Sequence, residues 1–382
     1  MTPSEKALLE SWYIELARSR APGATPEEIE KKLDSIGEGL FTRLGLRMHL
    51  TRTLPFRRWI LAACILLATG GIGMLYYLRE TQRAGKDELN TTVSLASGVS
   101  PGEEKAHLIL PDGRSIILND VSDGEVAREG NVSVFKKGTG EVVYRSGDEM
   151  PADADRLTYH TVSTPKAGQY KVQLPDGSQV WLNAASSIRF PVVFPGEGRS
   201  VEVTGEVYFE VAKLVGNGKR VPFKVKAGRQ TIEVLGTHFN VSCYAEDKTI
   251  KTTLLEGSIK LNIADQDRKK GVLLKPGQQS ELIVANDSSK PSELEVREVD
   301  AESVVAWKDG YFQFENADLP ELMGQISRWY DVEIVYEGPV KKHEFVAQIK
   351  RNTRLEHLLK ILEEGDVKFR VEGRKIIVTD QL

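Results

Sequence analysis

Residues 201–211 read VEVTGEVYFEV. Val201, Val203, Val207, Phe209 and Val211 fall on one side of an extended chain, and Glu202, Thr204, Glu206, Tyr208 and Glu210 fall on the other. Side chains alternate across a strand with a period of two, so this run predicts a strand with one face in a core and one toward water. Shorter runs of the same kind surround it: PFKVKA at 222–227, QTIEVLG at 230–236, HFNVSCY at 238–244 and GSIKLNI at 257–263, punctuated by Gly236, Gly257 and Gly277. Many short strands separated by turns predict an all-β domain over residues 93–300, a sandwich or a β-solenoid.

A weak internal repeat supports this. AHLILPDG (106–113) leads into IILN (116–119), and YKVQLPDG (170–177) leads into VWLN (180–183). Each reads as strand, turn, strand. Proline presets φ for the turn and glycine accepts the positive φ that follows. Asp112 and Asp176 are therefore turn residues in this reading and not a catalytic pair.

The tail has a different period. YFQFENADLPELMGQISRWYDVEIVYE (311–337) reads strand, helix, strand. Asp318 is placed to cap, Glu321 follows three residues on, and Leu319, Leu322, Ile326 and Trp329 or Tyr330 form the buried face. A second unit follows, with a strand at 345–349, a capping box at Thr353-Arg354-Leu355-Glu356, a helix ended by Gly365, and strands VKFRV (367–371) and KIIVT (375–379). The order β-α-β-β-α-β-β predicts a small α+β domain over 307–382.

Ahead of the β pattern lies WILAACILLATGGIGMLYYL (59–78), twenty residues without a charge. At about 1.5 Å per residue a helix of this length covers the roughly 30 Å hydrocarbon core of a bilayer. The sequence thus predicts a transmembrane helix at 58–78, followed by a polar linker at 79–92. Arg43, Arg47, Arg52, Arg57 and Arg58 precede it with no acid after Glu38, whereas basic and acidic residues mix beyond it. Positive flanks stay in the cytoplasm, which puts the N-terminus inside and the C-terminus outside.

The inner arm, 1–57, shows two amphipathic helical patterns. Leu8, Trp12 and Leu16 lie along the first, and Leu33 and Leu40 along the second, which opens on Thr25-Pro26-Glu27-Glu28. Two short helices cannot bury both stripes on each other. They lie on the membrane surface or dock on a cytoplasmic partner. Gly70, Gly71 and Gly73 weaken the predicted span, by roughly 1 kcal/mol each relative to alanine. They mark it as a region for intramembrane cleavage or for helix pairing.

The net charge of −4 gives no reason to expect direct nucleic-acid binding, and the only cysteines are Cys64, in the predicted span, and Cys243. The outer arm must stand on its core without disulfides. The six histidines lack metal spacing, and no GxSxG, HExxH, GxGxxG or Walker loop occurs. The sequence points to a binding protein, not an enzyme, with no cofactor. Asn131 and Asn240 each begin an N-x-S match to the glycosylation pattern, a short motif of low specificity.

The stretches LPDGSQVWLNAASSIRFP (174–191), RSVEVTGEVYFEVAK (199–213), PFKVKA, VLGTHFNVSCY (234–244), TTLLEGSIKL (252–261) and LKPGQQ (274–279) resemble the FecR-type anti-sigma factors. The α+β tail that follows WKDGYFQFEN (307–316) is similar to the Bacteroidetes branch and to the secretin and TonB short N-terminal fold. The resemblance implies a single-pass anti-sigma factor. Its cytoplasmic arm would hold an extracytoplasmic-function sigma factor. Its periplasmic arm would contact the signalling domain of an outer-membrane TonB-dependent transporter and relay that signal to transcription. The rival reading is a membrane-anchored periplasmic envelope-assembly or carbohydrate-binding protein.

Overall fold

The computed structural model describes residues 98–146, 157–195, 198–264, 271–283, 293–338 and 344–379. The predicted span and inner arm, with Leu8, Trp12, Leu16, Leu33, Leu40, Gly70, Gly71 and Gly73, lie outside these residues. Among the described residues no helix is long and apolar enough to cross a membrane.

The run at 201–211 sits in a strand, Arg199–Glu210, whose inward face is buried as the sequence predicts, while on the face expected to meet water Tyr208 is buried and Glu202, Glu206 and Glu210 are half-buried. This strand belongs to two sheets. Its first half pairs antiparallel with Ser187–Pro191 and parallel with Phe223–Ala227. Its second half pairs antiparallel with Gln179–Leu182 and His238–Cys243. The first sheet continues outward through Tyr159–Ser163, His107–Ile109 and Ser115–Ile117 on one side. On the other side it continues through Gln230–Val234, Ile259–Ile263 and Val272–Leu274. The second sheet extends through Gly168–Gln173, Glu141–Ser146, Val132–Lys137 and Gly124–Glu129 on one flank. Its other flank runs through Thr249–Glu256, Gln278–Ile283 and Glu293–Glu298.

One core fills the space between the sheets. Phe209 stacks on Phe239 with ring centres 4.9 Å apart, and Phe223 meets Phe209 edge-on. The layering is a sandwich, while the chain path advances by hairpins laid alternately on the two sheets. Of the two sequence alternatives, the sandwich describes this packing.

The change of sheet happens at Gly205. Thr204 pairs with Ser187 in the first sheet and Gly205 with Cys243 in the second. Gly205 has φ +77°, and a Cβ there would stand 2.6 Å from the Ala185 carbonyl and 2.7 Å from Ser186 Cα. Only glycine fits this corner.

Both Pro-Asp-Gly segments form the expected hairpin turns, with Gly113 at φ 85° and Gly177 at φ 83°. Asp176 does more than turn the chain. It accepts Arg199 Nη1 at 2.7 Å, with both side chains out of water. Arg199 also donates to the carbonyls of Ala212 and Val221, and it stacks over Phe223. A buried pair needs this many partners to offset desolvation. His160 is likewise in the core, fully buried, with Nδ1 3.0 Å from the Tyr144 hydroxyl.

A short helix, α1 (Ala301–Val305), and a 3₁₀ turn, Ala306–Asp309, lead to the tail. There the order is Tyr311–Ala317, α2 (Leu319–Tyr330), Glu333–Tyr336, Phe345–Lys350, α3 (Leu355–Glu363), Lys368–Glu372 and Lys375–Thr379. The strands make a two-stranded and a three-stranded sheet. The helices bury Leu322, Ile326, Tyr330, Leu358 and Leu362 in a second core. Asp318 caps α2 as expected, accepting from the Glu321 amide at 2.8 Å.

Two details of α3 differ from the sequence reading. Its N-cap is Arg354, with no side-chain cap bond, so Thr353 and Glu356 do not form a capping box. Thr353 is used otherwise, its carbonyl accepting the Tyr330 hydroxyl at 2.6 Å. The left-handed residue after α3 is Asp366, φ 63°, and not Gly365. Gly365 is required by packing instead, since a Cβ there would lie 2.9 Å from the Phe345 ring.

Two outcomes test this description. Gly205→Ala should destabilise the fold by about 2–4 kcal/mol, from positive φ and backbone collision together. It should appear as a lower urea midpoint with an unchanged slope. Burial lowers His160 from 6.5 to about 4. Between these values the unfolded chain binds the proton and the folded chain does not, so stability present above pH 6.5 is lost as pH falls toward 4. The loss is on the order of 3 kcal/mol, and His160→Leu should flatten that slope in denaturation series at pH 7 and below.

Candidate functional site: the seam between the two cores

Arg351 is 4 % exposed, although it follows a strand in a run, IKRN, that looks solvent-facing. Its guanidinium lies 3.6 Å above the Trp329 ring and 5.4 Å from that of Phe312. From there it reaches into the β domain. Nη2 donates to Asn183 Oδ1 at 2.7 Å, and Nη1 donates to the Trp307 carbonyl at 3.1 Å and to Gln169 Oε1 at 3.4 Å. Trp329 is fixed beneath it because its indole donates to the Arg351 carbonyl at 2.8 Å. Gly102 leaves room for that indole, since a Cβ there would fall 2.6 Å from the ring.

Behind Asn183 stands Glu206, the first residue after the corner at Gly205. Asn183 Nδ2 donates to one of its carboxylate oxygens at 2.7 Å and Asn240 Nδ2 to the other at 3.0 Å. Asn240 in turn accepts the Trp307 indole at 3.4 Å. Burial raises the Glu206 pKa, opposed by these two amide bonds and by Arg328 and Arg351. Burial lowers Arg351 to about 10, opposed first by Glu206. The two charges therefore sense one another, yet no direct ion pair joins them. Asn183 relays between them.

Beside this lies a second cation. Arg328, on α2, rests 3.8 Å over the Tyr244 ring and pairs with Glu246 at 3.3 Å and Asp247 at 3.6 Å. Its carbonyl accepts the Ala167 amide at 2.8 Å. Lys251 reaches Glu321 at 2.7 Å. The apolar share of the seam is Val99 and Ala184, which join the tail's core, and a small cluster of Tyr208, Val305 and Trp307. A cleft of about 280 Å³ opens next to the seam, lined by Glu104, Gln169, Lys171, Trp181, Trp307 and Lys308 among others.

Sequence reading did not single out Arg351, Asn183, Glu206 or Asn240 for this role. Asn183 ends the second copy of the internal repeat, and its counterpart Asn119 stays local, accepting the Ala106 amide at 3.2 Å. Asn240 begins an N-x-S motif but is 2 % exposed, which withdraws it from glycosylation in the folded chain. Thr237 and His238 make local contacts within the sandwich. Thr237 donates to the Ser258 carbonyl, and His238 pairs with Glu256 at 3.4 Å on the strand edge. Among the described residues no group of three or more His, Cys, Asp or Glu converges to hold a metal ion.

The halves of the seam coincide with two domain families. The family described as FecR protein matches residues 160–260, which include Asn183, Glu206 and Asn240. The family described as FecR, C-terminal matches 311–378, which include Arg328, Trp329 and Arg351. A crystal structure at 1.65 Å from Parabacteroides distasonis ATCC 8503, of a protein provisionally assigned as an anti-sigma factor, is 27 % identical. It matches with a TM-score of 0.51 over 58 % of this chain and 99 % of that one. A second structure from the same strain, at 2.50 Å and with the same provisional assignment, is 25 % identical over 59 % and 100 % of the two chains, again with a TM-score of 0.51. A comparison with curated proteins returns no match. The two FecR domains are thus present in order and meet across one buried seam, and with the likeness to the Parabacteroides structures they support a FecR-type anti-sigma factor.

Proposed function

We propose that the chain is a single-pass inner-membrane protein that sequesters an extracytoplasmic-function sigma factor through residues 1–57. In this reading residues 58–78 span the membrane, and the sandwich and α+β domain lie in the periplasm. There they receive the signal of an outer-membrane TonB-dependent transporter. The observation that carries the reading is the ordered match to FecR protein and FecR, C-terminal, together with the likeness to the Parabacteroides protein. The charge asymmetry around residues 59–78 supports the orientation. The sigma factor is held by the stripes Leu8, Trp12, Leu16 and Leu33, Leu40, and an intramembrane protease acting at Gly70, Gly71 and Gly73 releases the arm.

The α+β domain is the docking surface for the transporter's signalling domain. Phe345–Lys350 pairs with Tyr311–Ala317 alone among the described strands, and Val346 on it is 73 % exposed. A strand edge of this kind accepts a partner strand through main-chain bonds.

Residues 1–57 should retain one of the cell's extracytoplasmic-function sigma factors in a pull-down, and Trp12→Glu with Leu33→Glu should weaken that binding at least roughly tenfold. If the doubly charged arm binds as well as the native one, the arm is only an anchor. Val346→Pro should lower affinity for the transporter's signalling domain while the chain stays folded by circular dichroism. Undiminished affinity would remove the strand edge from the contact.

A further inference from the structure

Each domain has its own apolar core, whereas the surface between them combines polar groups with a small apolar cluster of Tyr208, Val305 and Trp307 and the contacts of Val99 and Ala184. Arg351 carries a full charge into that surface, and each of its acceptors there is neutral: Asn183 Oδ1, Gln169 Oε1 and the Trp307 carbonyl. Its Nε is buried with no acceptor among the described residues. The carboxylates one step further on are held by amides instead, Glu206 by Asn183 and Asn240 and Glu104 by Gln169. A desolvated charge without a direct counter-charge regains most of its solvation when exposed, so separating such a surface costs far less than separating an apolar one.

We propose that this seam is a latch. The α+β domain swings away from the sandwich as a unit, both cores stay folded, and Arg351 withdrawing from Asn183 is the step that opens it. The open form exposes Asn183, Glu206 and Asn240 on the sandwich, and Arg328, Trp329 and Arg351 on the tail. Lys251–Glu321 and the seating of Arg328 on Tyr244 hold the rim and part in the same motion.

The Ala167 amide reports on the latch directly, because its hydrogen bond crosses the seam to the Arg328 carbonyl. Hydrogen exchange of the full-length protein, read by mass spectrometry, should show Ala167 exchanging at least roughly tenfold faster than the slowest amides of Arg199–Glu210 and of α2. Arg351→Ala should speed Ala167 by a further tenfold or so while the slowest core amides stay within about twofold. Lys251→Met, which removes only the rim pair, should shift Ala167 in the same direction by less. The latch is overturned if Ala167 in the native protein exchanges as slowly as the two cores. It is equally overturned if either substitution speeds both cores and the seam alike, since the domains then unfold as one body. The native measurement decides even if Arg351→Ala does not fold.

Discussion

One strand holds both sheets of the sandwich, and it can do so only because residue 205 has no side chain. The Ala185–Ser186 backbone presses against Gly205 so closely that a methyl group would overlap it. That approach fixes more than the sheets. It sets the Glu206 amide 2.9 Å from Ser186 Oγ, and it brings Asn183, three residues back along the same loop, onto the Glu206 carboxylate. Asn183 then presents its oxygen to Arg351. The packing constraint at the corner and the polar chemistry of the seam are two ends of one short chain of contacts.

The seam contrasts with the buried pair elsewhere in the sandwich. Arg199 meets Asp176 directly, gains two carbonyls and an aromatic face, and closes a region with no reason to open. Arg351 has the aromatic face and the carbonyl but not the carboxylate. The difference is chemical economy of another kind: a direct ion pair holds its partners hard, while a relay through a neutral amide holds geometry with less Coulomb energy. Burial accordingly leaves Arg351 at about 10, well below the usual guanidinium range.

Alternation made the sandwich legible, because period two survives in Val201, Val203, Val207 and Phe209 whatever sheet they join. The same regularity concealed the corner. Gly205 falls on the inward phase, so the pattern continues unbroken across it, and nothing in VTGEV marks a change of partner. The α2 stripe and its Asp318 cap were readable for a similar reason, since both are set by residues within a few positions. The seam was not readable. Arg351 is one cation among many on the chain, and Asn183, which it meets, is 168 positions away. Asn240 was misleading in a specific way. Its motif belongs to exposed loops, while its amide is committed to Glu206 in the interior.

The chain path gives the seam a further consequence. Val99 packs into the core of the last domain, and Gly102 lies against Trp329. The first described residues thus touch the final domain, although the whole sandwich intervenes in sequence. In the topology proposed above, these residues follow directly on the linker that leaves the membrane. A displacement of the α+β domain then acts on the start of the outer arm through Trp329 and needs no passage through two sheets packed around a rigid core. A sandwich held by a glycine corner is well suited to stay fixed while that happens, because its own strands leave it nothing to rearrange.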